Sequence, residues 1–125
     1  MMLRPPRHGL NQARENALDY ELAQEQAAAL GRLGRALEAA LAALSSYDQE
    51  RAQRGEELPA PPSPTAAVRE RLVQEASNAL WCFVIQREAC GLRDQRIVVR
   101  EYRIPAEVQN RMGAFGGTRR TAAAA

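Results

Sequence analysis

The sequence predicts an all-α protein, a long antiparallel helical hairpin followed by two short C-terminal helices. Three observations carry that expectation. Apolar residues make up 46% of the 125-residue chain but aromatics only 5%, so a core of Leu and Ala is expected, which suits closely packed helices. Leu30, Leu33, Leu37, Ala40, Leu44 and Tyr47 recur in steps of three and four, the seam of a coiled coil. Proline and glycine fall mainly in a few places where helices would start and stop.

Residues 1–15 read as a disordered N-terminal arm, with two prolines, a glycine, three arginines and no periodicity. The first helix is expected over 16–54. Leu18 and Leu22 open its apolar stripe, and Asp19, Glu21 and Glu25 crowd what would be its first turns, where the helix dipole favours negative charge. Arg51 and Arg54 fall in the last turn, with Gly55 as the C-cap. Gly31 and Gly34 sit inside this helix, each costing about 1 kcal/mol against alanine. They are either tolerated weak points or places where a second helix comes close.

A proline-rich linker follows over 55–63. Its PxxP fragment, Pro59 to Pro62, is of a kind common by chance. Ser63 and Pro64 form an N-cap and first helical residue and open a second helix over 64–90. Val68, Leu72, Ala76, Ala79, Leu80, Phe83 and Val84 keep its apolar stripe. From Leu80 to Ile85 the helix is apolar, or cysteine, around its whole circumference, and it should be buried on several sides. Gly91 stops the helix and Leu92 is placed for the apolar contact that follows a glycine cap.

Asp94 starts a short helix over 95–103, with Ile97, Val98 and Tyr102 toward the core. Ile104 and Pro105 break it, and Pro105 opens a last short helix over 105–112. The single helical domain would span 16–112. Residues 113–125 have the composition of a disordered tail.

Charge excludes little. The net charge is +2, too small to argue for nucleic acid by itself. All 17 basic residues are arginine. Genomic base composition explains that, and so does selection for bidentate contacts to carboxylate or phosphate. Met1 to Gln12 lacks the apolar core of a signal peptide, and no stretch approaches the roughly 20 apolar residues of a membrane span. A soluble cytoplasmic protein without membrane partners is expected. Cys82 and Cys90, about 12 Å apart along one helix, are too far apart for a disulfide, and both read as core residues. The lone histidine, His8, and the cysteine spacing give no metal site. No cofactor and no set of catalytic residues is indicated.

The chemically rich stretch is WCFVIQREACGLRD, residues 81–94. Arg87, Glu88, Arg93 and Asp94 form a charged corner around a helix turn. Structural ion pairs and caps account for it, and an enzymatic site built on Glu88, Arg93 and Asp94 is the alternative. Downstream, residues 94–112 have the outline of a helix-turn-helix, with Arg96, Arg100, Arg103 and Arg111 as candidate nucleic-acid contacts. Three features oppose it. Arg103 stands in the turn where a small residue is usual, Val108 comes one residue early, and the second helix is short and carries an acid.

The block WCFVIQREACGLRD, with the later YRIPAEVQNRMG, resembles a small uncharacterised bacterial protein family, a domain of unknown function. The likeness covers about residues 17–113: an Ala/Leu helix, a proline linker, then the block. It implies a helical bacterial protein with no assigned activity, so no residue role is carried over. The expectation is therefore a small helical interaction or scaffold protein without catalytic activity. It is expected to be a homodimer resembling a four-helix bundle, because the seam and the apolar girdle exceed what one hairpin buries.

Overall fold

The computed structural model describes residues 7–112 and is all-helical. Helix α1 spans Arg7–Gln53, α2 Pro64–Ala89 and α3 Gln95–Tyr102; a fourth helix, α4, covers 106–112. The expected arm at 1–15 lies outside the described residues up to 6. From Arg7 it is the start of α1, which begins nine residues before the expected Asn16. The physical reason is local. After Pro6 nothing but Gly9 opposes a helix, and a helix nucleated further along extends through such residues without needing an apolar face. The acids at Asp19, Glu21 and Glu25 are therefore mid-helix. The expected tail, 113–125, also lies outside the described residues.

Each helix end is built from side chains the sequence places there. Gly55, at φ 73°, ends α1. Its amide donates to the Ala52 carbonyl at 3.0 Å, and the Glu56 amide donates to the Arg51 carbonyl at 2.9 Å, a glycine-capped turn that satisfies the last carbonyls. The Ser63 hydroxyl accepts the Ala66 amide at 3.0 Å and caps α2, with Pro64 at the first position. Gly91, at φ 84°, repeats the glycine stop: the Leu92 amide reaches the Arg87 carbonyl at 2.8 Å. The Asp94 carboxylate accepts the Arg96 amide at 3.0 Å and caps α3.

Helices α1 and α2 pack along the predicted seam. Leu37 and Leu44 of α1 are buried against Val73, Ala76, Leu80, Phe83 and Val84 of α2, with Leu30, Leu33 and Ala40 partly covered. The pairing steps from Tyr47, whose hydroxyl donates to the Thr65 carbonyl at 3.1 Å, through Asp48 beside Arg69, to Gly34 beside Phe83. Helices α3 and α4 lie across these two. Val98, Ile104 and Val108 seal the core from that side.

Gly34 marks the tightest approach. A Cβ there would sit 2.9 Å from the Tyr102 hydroxyl and 3.3 Å from Phe83 Cε1, whereas at Gly31 it would meet only Arg35 Nη1, at 3.4 Å. Close packing is thus the role of Gly34, and Gly31 is the tolerated weak point. Phe83 and Tyr102 meet edge to face, their ring centres 5.2 Å apart.

The apolar girdle is only half buried. Leu80, Phe83 and Val84 enter the core, but Trp81 and Ile85 remain 42% and 46% exposed and Cys82 is exposed. Val68 and Ile97, expected in the core, are also exposed. One helix layer covers one side of α2, and nothing among the described residues covers the other. Both cysteines are free.

Two substitutions separate propensity from packing. Gly31→Ala should stabilise by up to about 1 kcal/mol through helix propensity. Gly34→Leu should cost about 1–3 kcal/mol through overpacking. Urea unfolding followed by circular dichroism should therefore rank Gly31→Ala above the parent and Gly34→Leu below it.

Candidate functional site

The charged corner at the end of α2 is open to solvent at Glu88, Arg93 and Asp94. The Arg87 guanidinium donates to the Asp94 carbonyl at 3.3 Å and stands 6.0 Å from the centre of the Phe83 ring. The Asp94 carboxylate serves as the α3 cap and pairs with Arg96 at 3.2 Å. That contact with Arg96 holds the Asp94 carboxyl below its usual value. Glu88 and Arg93 are exposed and enter no ion pair among the described residues. The structure brings Arg87 and Asp94 together and leaves Glu88 and Arg93 apart, facing solvent.

The candidate nucleic-acid contacts divide as well. Arg96 and Arg100 lie exposed on α3, and Arg103 is exposed at its end in the left-handed region, at φ 52°. A left-handed arginine is unusual. Here its amide donates to the Val99 carbonyl, and the Ile104 amide joins the same carbonyl at 3.0 Å, a cap that turns Ile104 into the core. Arg111 is paired with Glu70 of α2. Val108 is fully buried, so the inward face of α4 packs into the core with α1 and α2.

The strongest polar constellation was not visible in the sequence. Arg69 of α2 donates from Nε and Nη2 to both oxygens of Asp48 on α1, at 2.9 and 2.8 Å. It also donates from Nη1 and Nη2 to both oxygens of Glu107 on α4, at 2.8 and 2.5 Å. One guanidinium thus ties three helices, using the planar fork that lysine lacks. Hydrogen bonding to Glu107, then to Asp48, holds Arg69 far above its ordinary value. Arg69 in turn holds the Glu107 carboxyl below the usual range. Partners 21 and 38 residues away leave no local spacing by which to find the node.

A shallow groove of about 580 Å³ opens beside this node. Leu41, Leu44, Ser45 and Asp48 of α1 form one wall, and Tyr102, Arg103, Pro105 and Glu107 the other. Two carboxylates at a groove suggest acid–base chemistry. Here Arg69 donates to both oxygens of each.

A second arginine is spent on structure. Arg51, buried near the end of α1, donates to the Glu57 carbonyl at 2.7 Å, pairs with Glu56 at 3.2 Å and stacks 5.7 Å from the Tyr47 ring centre. It fastens the start of the linker to the helix. Among the described residues no group of three His, Cys, Asp or Glu side chains could hold a metal ion, and no helix is long and apolar enough to cross a membrane.

Comparison with known proteins agrees with an uncharacterised domain family. Residues 60–120 match the model of DUF6665, a family of unknown function. The match begins in the proline linker, so α1 lies outside it. No curated protein and no solved structure matches the chain.

The node predicts a pH response. Glu107 has a lowered carboxyl pKa when folded. Its contribution to stability is complete above the unfolded value of about 4.3 and is lost as pH falls through the folded value. Glu107→Gln should therefore flatten the acid limb of the stability–pH curve. Arg69→Met leaves two carboxylates facing each other and should cost about 1–3 kcal/mol at neutral pH. Chemical unfolding across the acid range measures both.

Proposed function

We propose that this chain is a small helical interaction protein that acts through helix packing and forms a homodimer of two antiparallel hairpins, in the manner of a four-helix bundle. One observation carries the proposal: α1 has 47 residues and α2 has 26. At 1.5 Å per residue these are about 70 Å and 39 Å long. The seam that α2 covers continues toward the N-terminus as bare surface. Leu18 and Leu22 are 63% and 57% exposed, and residues 9–25 are exposed throughout. Each bare leucine forgoes roughly 2 kcal/mol of burial. A second copy that covers them, together with Trp81 and Ile85, recovers that free energy. No enzymatic role for Glu88, Arg93 and Asp94 gains support of this kind, because those groups do not converge on a cavity.

A DNA-binding role through Arg96, Arg100 and Arg103 is the second reading, supported by the exposure of all three on α3 and its end. It is weakened by the ties of Arg96 to Asp94 and of Arg111 to Glu70.

Sedimentation velocity at micromolar concentration should give the mass of two chains. Leu18→Gln with Leu22→Gln should give one chain with little loss of helical signal. A stable, well-folded monomer of the parent protein would overturn the proposal. For the second reading, fluorescence anisotropy with labelled duplex DNA should show no affinity that falls steeply with salt. Such affinity would put DNA binding first.

A further inference from the structure

We infer that the N-terminal part of α1 in one copy docks on the α2–α3 corner of a second copy, and reciprocally, so that each chain supplies an acidic arm and a basic seat. This rests on the self-association proposed above and names its surfaces.

The arm is the bare stretch of α1 around Leu18 and Leu22. These leucines lie one turn apart and are bordered by Glu15, Asp19, Glu21 and Glu25, at spacings of one or three residues. From Glu15 to Gly31 the sequence holds these four acids and no basic residue.

The seat is the outer face of the corner. Trp81 and Ile85, also one turn apart, are its apolar part on α2, and Leu92 and Ile97, beyond the α2 stop, are 45% and 41% exposed. Arg93, Arg96 and Arg100 are exposed on the α2–α3 turn and on α3. The corner is not free of acids. Glu88, Asp94 and Glu101 also face outward, Asp94 in its pair with Arg96. From Arg87 to Arg103 five arginines stand against these three carboxylates, so the seat keeps a positive excess.

Charge decides between the surfaces a second copy offers. Arm against arm would bring two runs of four carboxylates together along their apolar stripes, with Arg14, one turn before Leu18, as the cation beside each run. Arm against seat puts apolar on apolar and opposes unlike charges. A two-fold axis then makes the same contact twice, each chain giving its arm and receiving its partner's. Complementary charges of this kind set the choice of surface and the rate of encounter and are screened by salt. The corner's density of charged groups, unneeded for the α2 stop or the α3 cap, acquires a purpose.

Charge reversal on the full-length chain tests this. One variant carries Arg93→Glu, Arg96→Glu and Arg100→Glu; the other carries Glu15→Arg, Asp19→Arg and Glu21→Arg. Either alone places like charges at both contacts, and its dimer dissociation constant should rise on the order of ten-fold or more. An equimolar mixture restores unlike charges at both contacts, so the heterodimer should form with near-parental affinity. Trp81, the only tryptophan, should shift to bluer emission as the parent protein dimerises and as the two variants are mixed. Two results overturn the inference while leaving self-association standing: a parent dimer whose dissociation constant the seat reversal does not change, or a mixture no tighter than either variant alone. A monomeric parent protein would sink the self-association reading and this inference together.

Discussion

The Arg69 guanidinium ties α4 to α1 and α2. Its four short contacts reach Asp48 on α1 and Glu107 on α4, and its own stem belongs to α2. Apolar contact alone is non-directional. Val98, Ile104 and Val108 could seal a hairpin groove in several registers. Two bidentate pairs on one planar group admit one register, because each demands both distance and plane. With α4 fixed by Glu107, and by Arg111 on Glu70, Tyr102 is carried over Gly34 and the groove closes around Phe83. Only glycine allows that approach.

The same closure sets what stays outside. Once Val108 and Ile104 face inward, Arg103 must leave the helix in a left-handed turn. The arginines of α3 then line an outer surface with Leu92 and Ile97. Among the described residues, the α1–α2 core is covered where Val98, Ile104 and Val108 pack. Trp81 and Ile85 of α2 stay exposed while Phe83 and Val84 are buried. The long N-terminal part of α1, beyond the reach of α2, is bare as well. The self-association proposed above rests on these two exposed apolar surfaces, one bordered by acids and the other by arginines.

Much of the element plan was legible because it depends on neighbours in sequence. Ser63 with Pro64, Gly55, Gly91 and Asp94 each cap through bonds spanning two to five residues, so residue type and spacing sufficed. The α1–α2 seam was legible for the same reason. The start of α1 was not. A missing apolar stripe does not mark a missing helix, because helix formation in an exposed segment depends on propensity and on continuity with a nucleated helix. The burial of the girdle also misled. A continuous apolar run states that all sides of a turn prefer cover, but not that the chain has enough helices to provide it.

The sequence by itself determined the all-helical class, the helix stops, the caps and the apolar seam, since these arise from local backbone geometry and from a period of 3.6 residues. Tertiary structure alone decided which charges are structural. Arg69, Asp48 and Glu107 are scattered across three helices, and nothing in their local context distinguishes them from the arginines and acids of the 87–94 corner. Packing turned the scattered group into a node and left Glu88 and Arg93 in solvent. An ion pair depends on distance in space, which local sequence spacing does not encode between elements.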